Sequence, residues 1–366
     1  MLKRTVSLFM TPAITYLPHC KKFFSPVDPI RFQVQDRTWK DRAKEGTLLG
    51  LKIALFPWGI YEILRYAAQR LAMIPLYPAQ SNFVKKREVS LQSQTLKNRR
   101  TQDAQTAAQK GLLYKEVSLE KNGTHYNGVM IGKENTIHNG HWVLQATGNG
   151  QPIEPVALEV GEAYLNGLNF NTLLVNGPNV GSSEGHAVPH SMGEAQETAL
   201  RFLETTMKAK KIAIAGHSLG RAAIGQAILQ HEFKPSSELE YAVVSQMAFD
   251  RTTNVVKKVV RGEFPRLKHI ARKLIHWTGL EMDNVESSKK LQRLKIPEII
   301  IQAVDPTTDK FQDDGAIPGH GTLGYRLKKE GILTNKTFIG LPNAGHNNTK
   351  AYIQATINAL RHWDSR

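Results

Sequence analysis

A single cysteine, Cys20, stands among 366 residues. One thiol excludes an internal disulfide framework and any Cys-rich zinc site, so packing and hydrogen bonding must hold the fold together. That fits a reducing compartment. Also missing are a GxxxxGK[ST] phosphate loop, zinc-finger spacing and the aromatic signature of an RNA-binding sheet, so no specific nucleic acid is expected as a partner. No internal repeat is present. A clean spanning helix is absent too: the most apolar stretch, 47–79, is broken by Lys52, Glu62, Arg65, Arg70 and internal prolines. The first residues, Met1, Lys3, Arg4 and then 6–13, offer only a short apolar stretch interrupted by Thr and Pro, with no small-residue cleavage site behind it. The expected location is cytoplasmic or peripheral to a membrane, rather than secreted by a standard signal peptide.

What is present is enough apolar material, 41% of residues, for a sizeable buried core. The net charge of +16 is uneven. Residues 1–111 hold 19 Lys/Arg against 7 Asp/Glu, so +12 lies there and only +4 in the remaining 255 residues. The second figure is that of an ordinary soluble enzyme domain, and any anionic partner belongs to the first third. The chain therefore reads as a basic N-terminal extension, 1–111, and a second unit, 112–366. Within the extension, the basic runs 85–87 and 97–100 read as a solvated helix or linker. On a helix over 59–74, Glu62, Arg65, Gln69 and Arg70 share one side and the rest is apolar, with Trp58, Tyr61, Tyr66 and Tyr77 near the ends. Two settings fit: a membrane interface, aided by the surrounding basic charge, or a place over the mouth of the second unit's active site.

From residue 112, strand-like and helix-like segments alternate. A hairpin is expected over 114–131, turning at Lys121-Asn122-Gly123, then strands over 142–147, 171–176, 211–215, 241–247, 298–304 and 336–341. Helices fall between them at 156–167, 191–208 and 221–232, and at 350–363 after the last strand. This pattern predicts an α/β fold with a mostly parallel sheet flanked by helices. Residues 250–295, helical and basic, read as an inserted lid. His269 and His276 within it lack carboxylate or cysteine partners and are poor metal ligands, so neither metal nor cofactor is expected.

The strongest local signal is an apolar strand running into Gly216-His217-Ser218-Leu219-Gly220 and on into a small-residue helix. Glycines flanking the serine let a strand and a helix approach closely around a strained turn, which lifts the hydroxyl above the sheet edge. The segment resembles the nucleophile elbow of the α/β-hydrolase superfamily. The resemblance covers about 112–364, and the whole chain is similar to the chlamydial CHLPS-type hydrolase-like family, a name that implies no substrate. It implies Ser218 as nucleophile and Leu219 N–H as an oxyanion donor. Asn149-Gly150-Gln151, after the strand 142–147, looks like the superfamily's oxyanion loop, which makes the Gln151 N–H the second donor. His346, in the loop after the last strand, is placed as the general base, since the superfamily's order is serine, acid, histidine. Four acids compete, Asp305, Asp309, Asp313 and Asp314: Asp314, which fits the Asp-x-x-Ile-Pro pattern, is preferred, and Asp305, immediately after its strand, is next. Arg221 departs from the usual small residue, with the expectation that it crowds the elbow or reaches toward an acidic substrate.

The function so implied is a serine hydrolase that cleaves an ester or thioester, lipid-like or acyl, through an acyl-enzyme. The rivals are a peptidase of the same fold, or a catalytically inactive, membrane-associated interaction protein on a hydrolase scaffold.

Overall fold

The computed structural model describes residues 29–34, 86–148, 151–234, 238–255, 273 and 275–365, with the backbone alone over 86–94. The apolar stretch 47–79 and the centre of the expected lid, 256–272, lie outside the described residues.

The described chain is organised on one nine-stranded sheet. Its strands are β1 (Ile30–Val34), β2 (Leu113–Lys121), β3 (Thr124–Gly132), β4 (His141–Ala146), β5 (Asn171–Val175), β6 (Lys211–His217), β7 (Glu240–Gln246), β8 (Glu298–Val304) and β9 (Lys336–Pro342). The spatial order is β1-β2-β3-β5-β4-β6-β7-β8-β9. β2 and β3 form the expected antiparallel hairpin. Its turn is tight because Asn122 and Gly123 both take positive φ, 54° and 81°, the pair of values a two-residue hairpin loop requires. β3 runs antiparallel to β5, and from β5 to β9 every neighbouring pair is parallel.

Alternation along the strands feeds two cores. On β6, Ile212 and Ile214 enter one cluster and Ala213 and Ala215 the other, on the opposite face. The first cluster is covered by α3 (Pro189–Thr205) and α4 (Leu219–Gln230), through Ala199, Leu203, Ile224 and Ile228. The second is covered by α2 (Ala157–Leu168) and α7 (Thr349–Asp364), through Val160, Leu165, Ile353 and Leu360. The crossover helices α5 (Asn284–Arg293) and α6 (Leu323–Glu330) complete the layers. Ser218, Asp314 and His346 follow the carboxyl ends of β6, β8 and β9, the edge where open parallel sheets present their ligand sites.

Three expectations need correction. First, β1 lies within a stretch that the sequence leaves as mixed, yet it pairs in parallel with β2 from Ile30↔Val117 to Val34↔Lys121. Ile30, Phe32 and Val34 are buried, and Phe32 meets Phe202 edge-on at 5.5 Å. Second, the basic run 97–100 is not simply a solvated face. It lies on α1 (Lys86–Gln109), where Arg100 is buried and binds Glu154 through Nε at 2.9 Å and Glu116 through Nη1 at 2.9 Å. The described parts of 1–111 are thus built into the same sheet and core. Third, the carboxyl part of the expected lid is α5, whose buried Leu291 belongs to the first core. The described ends of that insertion are stitched together, Thr252 N to Met282 O at 3.2 Å and Arg251 Nε to Asp283 at 2.8 Å. Among the described residues no helix is long and apolar enough to cross a membrane.

Candidate active site

Strand β6 ends at His217 and helix α4 begins at Leu219, so the chain must reverse within one residue. Ser218 bears that reversal at φ 52° and ψ −119°, a strained conformation for a residue with a side chain. Both neighbouring glycines are required by contact. A Cβ on Gly220 would lie 2.5 Å from the Ala146 carbonyl oxygen, and one on Gly216 would lie 2.7 Å from Arg221 Cα. The turn is pinned from below by Ser218 N, which donates to Gln246 O at 2.9 Å.

Three side chains distant in sequence then meet. Ser218 Oγ lies 2.8 Å from His346 Nε2, and His346 Nδ1 lies 2.8 Å from Asp314 Oδ2. All three residues are buried. The second Asp314 oxygen accepts the backbone N–H groups of Ile317 at 2.7 Å and Ala316 at 2.9 Å. Burial works to raise the Asp314 carboxyl. The hydrogen bonds from His346, Ile317 and Ala316 outweigh it and hold the group below its ordinary value, so it stays ionised. Facing an ionised acceptor, His346 Nδ1 carries a proton and Nε2 is free to accept from the serine hydroxyl. The loop is locked further by His346 N, which donates to Asp314 O at 2.8 Å.

The rival acid is engaged elsewhere. Asp305 caps its own turn, accepting from Thr307 N at 2.7 Å, Thr307 Oγ1 at 2.5 Å and Thr308 N at 3.1 Å. Those bonds hold its carboxyl below the ordinary value at an exposed position.

The two expected oxyanion donors differ. Leu219 N–H opens α4, where the first N–H groups have no acceptor within the helix and the helix dipole favours a negative charge. Gln151 N–H, by contrast, is spent on Gly148 O at 3.0 Å and closes the loop instead. The residue of this loop that reaches Ser218 is Gly148: a Cβ there would lie 3.1 Å from Ser218 Cβ. Asn149 and Gly150 lie outside the described residues. The loop is anchored at its far end, where Asn176 Oδ1 accepts from Ile153 N at 2.9 Å and Asn176 Nδ2 donates to Glu154 at 3.1 Å, the same Glu154 that pairs with Arg100.

Arg221 neither crowds the elbow nor faces the site. Fully buried beneath it, its guanidinium donates to Ser245 at 2.6 Å, Asn284 at 3.2 Å, Ser287 at 3.1 Å and Glu298 at 2.8 Å. Lys336 Nζ adds a second cation 3.0 Å from Glu298. Burial alone raises a carboxyl, but Arg221 and Lys336 pull Glu298 down to about 2. This cluster joins α4, β7, α5, β8 and β9 beneath the turn at Ser218.

The residue whose part is not legible in the sequence is His217, there only one letter of the elbow. It is buried, its Nε2 lies 2.9 Å from the His346 carbonyl oxygen, and its ring stacks on Tyr352 at 4.6 Å and 12°. A carbonyl only accepts, so Nε2 bears the proton. Burial first, then neighbouring His346, lowers the imidazole to about 4, and it is uncharged at neutral pH. Among the described residues no cluster of His, Cys, Asp or Glu is able to hold a metal ion.

The fold has counterparts among solved structures. An α/β hydrolase of Vibrio vulnificus superposes with a TM-score of 0.54 at 16% identity, covering 92% of this chain and 98% of the other. An esterase of Pyrococcus furiosus superposes with a TM-score of 0.51 at 12% identity, covering 70% of this chain and 93% of the other. At such identities the likeness is one of fold. No curated protein matches by sequence. The model of the Chlamydia CHLPS protein family (DUF818) matches residues 46–362, so this chain, an α/β-hydrolase fold, belongs to that family.

Proposed function

We propose that this protein is a serine hydrolase that cleaves esters or thioesters of acyl or lipid-like substrates through an acyl-enzyme. Ser218 attacks the carbonyl carbon while His346 Nε2 takes the hydroxyl proton. His346 then gives that proton to the departing alcohol or thiol, and Asp314 stabilises the imidazolium in between. The oxyanion of each tetrahedral intermediate rests on Leu219 N–H at the start of α4. Water, deprotonated by His346, releases the acid and restores Ser218. No cofactor is called for.

The observation that carries this reading is the unbroken chain of two 2.8 Å hydrogen bonds from Ser218 through His346 to Asp314. For the lipid-like preference, support comes from the apolar, basic segment 47–79, for which we propose contact with a membrane surface.

The test is labelling of the purified chain with a fluorophosphonate probe, followed by turnover of short- and long-chain p-nitrophenyl esters. Labelling and turnover that vanish in Ser218→Ala support the reading. A folded wild type that neither labels nor turns over any ester defeats it and favours a silent scaffold.

A further inference from the structure

Beside the nucleophile, between the loop after β4 and the start of α7, lies a cavity of about 320 Å³. At roughly 30 Å³ per water molecule, it has room for a group of about ten non-hydrogen atoms. Gly148 joins it to the reacting centre. That residue lines the cavity, and a Cβ placed on it would sit 3.1 Å from Ser218 Cβ and 2.9 Å from His217 Nδ1. Its lack of a side chain lets the wall of the cavity pack directly against the elbow.

The walls are polar but carry no net charge. Gln145 and Thr147 line it from the end of β4, Gln151 and Asn347 contribute exposed amides, and Val156 and Ile353 are the apolar patches. His217 adds a bare acceptor: its proton is committed to the His346 carbonyl through Nε2, which leaves Nδ1 with a lone pair on the Gly148 side. Among the described residues, no carboxylate, ammonium or guanidinium lines the space. An ionised ligand would lose its hydration there without a counter-charge. Gln145 and Thr147 already bond within the protein, but a plain hydrocarbon would cover the Gln151 and Asn347 amides and the His217 Nδ1 lone pair without bonding them. A second space, of only about 20 Å³, lies at the start of α4, where Met192, Leu219 and Ala223 share its wall with Thr147, Gln151 and Gln196.

We propose that this cavity binds an uncharged, hydrogen-bonding portion of the substrate, a hydroxyl-, ether- or amide-bearing group attached to the bond that Ser218 breaks. The inference rests on the serine-hydrolase reading for the reaction, though not for what the cavity holds.

The experiment compares kcat/KM of the full chain for two matched pairs of esters. One pair, monoacetylglycerol and butyl acetate, differs on the alcohol side; the other, p-nitrophenyl methoxyacetate and butyrate, on the acyl side. A preference of tenfold or more for the polar member of at least one pair is expected. Val156→Phe, which narrows the cavity from the residue before α2, and the exposed change Gln151→Leu should each cut that preference at least fivefold. Equal rates within both pairs, or a preference untouched by both variants, overturns the proposal. Fluorophosphonate labelling separates the two ideas: a labelled enzyme without preference sinks the cavity proposal alone. If the folded wild type does not label, saturation-transfer NMR on Ser218→Ala with glycerol, butanol and acetate decides. Glycerol binding weakened by Val156→Phe then supports the cavity's role, and no glycerol binding overturns it.

Discussion

His217 Nε2 donates to the carbonyl oxygen of His346 across 2.9 Å, so the residue before Ser218 holds the backbone of the histidine that Ser218 Oγ meets. The contact ties the elbow to the loop after β9, two segments 129 positions apart. A second proton would strengthen that one bond, but it would also bury a cation beside His346, and burial and His346 together outweigh the gain.

The pH dependence of stability follows. Unfolded, a histidine takes its proton near 6.5, whereas folded His217 does so at about 4. Between those values the unfolded chain binds more protons, so this contribution is complete above pH 6.5 and falls away as pH drops toward 4, by about 3 kcal/mol in all. Thermal unfolding of His217→Gln at pH 7, 5.5 and 4.5 should show a shallower loss of Tm than the wild type. Parallel curves would rule the effect out.

The choice of acid is a matter of direct comparison. Asp314→Asn removes the ionised acceptor of His346 Nδ1 and favours the wrong tautomer, a change that costs roughly 10⁴ in kcat where a serine triad operates. Asp305→Asn disturbs only an exposed turn, and kcat should stay within about twofold of wild type, the range of a surface change. Steady-state ester kinetics on both variants measures this, and the reverse ranking would discard Asp314.

Arg221 is expected to matter for folding rather than for chemistry. Its removal leaves Glu298 buried with one cation in place of two. Breaking one arm of a buried ionic cluster costs about 3–5 kcal/mol. Urea denaturation of Arg221→Ala should show that loss, while activity per folded molecule stays close to wild type. A variant of full stability would contradict the account.

Gly220→Ala tests the elbow itself. The added Cβ has to push the Ala146 carbonyl, and with it the end of β4, away from α4. Expected is a fall in the rate of Ser218 labelling of at least about tenfold, because a displacement near 1 Å at a reacting centre is enough to cost that much. Unchanged labelling would mean that the close approach is dispensable.

Much of the molecule was legible along the chain. Strand and helix periods from 112 onward, the Asn-Gly turn at 122–123, and the serine between two glycines are local properties, set by side-chain size, β-propensity and backbone freedom over a few residues. The order serine, acid, histidine is equally a property of the string, and with it the fold class. Tertiary structure alone set Asp314, and not Asp305, against His346, since both follow the same strand and only the hydrogen-bond partner separates them. It also turned Arg221 and Arg100 inward onto carboxylates at 298 and 154, and drew 30–34 into the sheet. Likewise the Gln151 amide went to Gly148, and His217 became the tie to His346. The physical reason is common to all of these: each depends on which polar group lies within about 3 Å once burial has removed water, and such a partner is chosen by the packed fold, not by sequence neighbours.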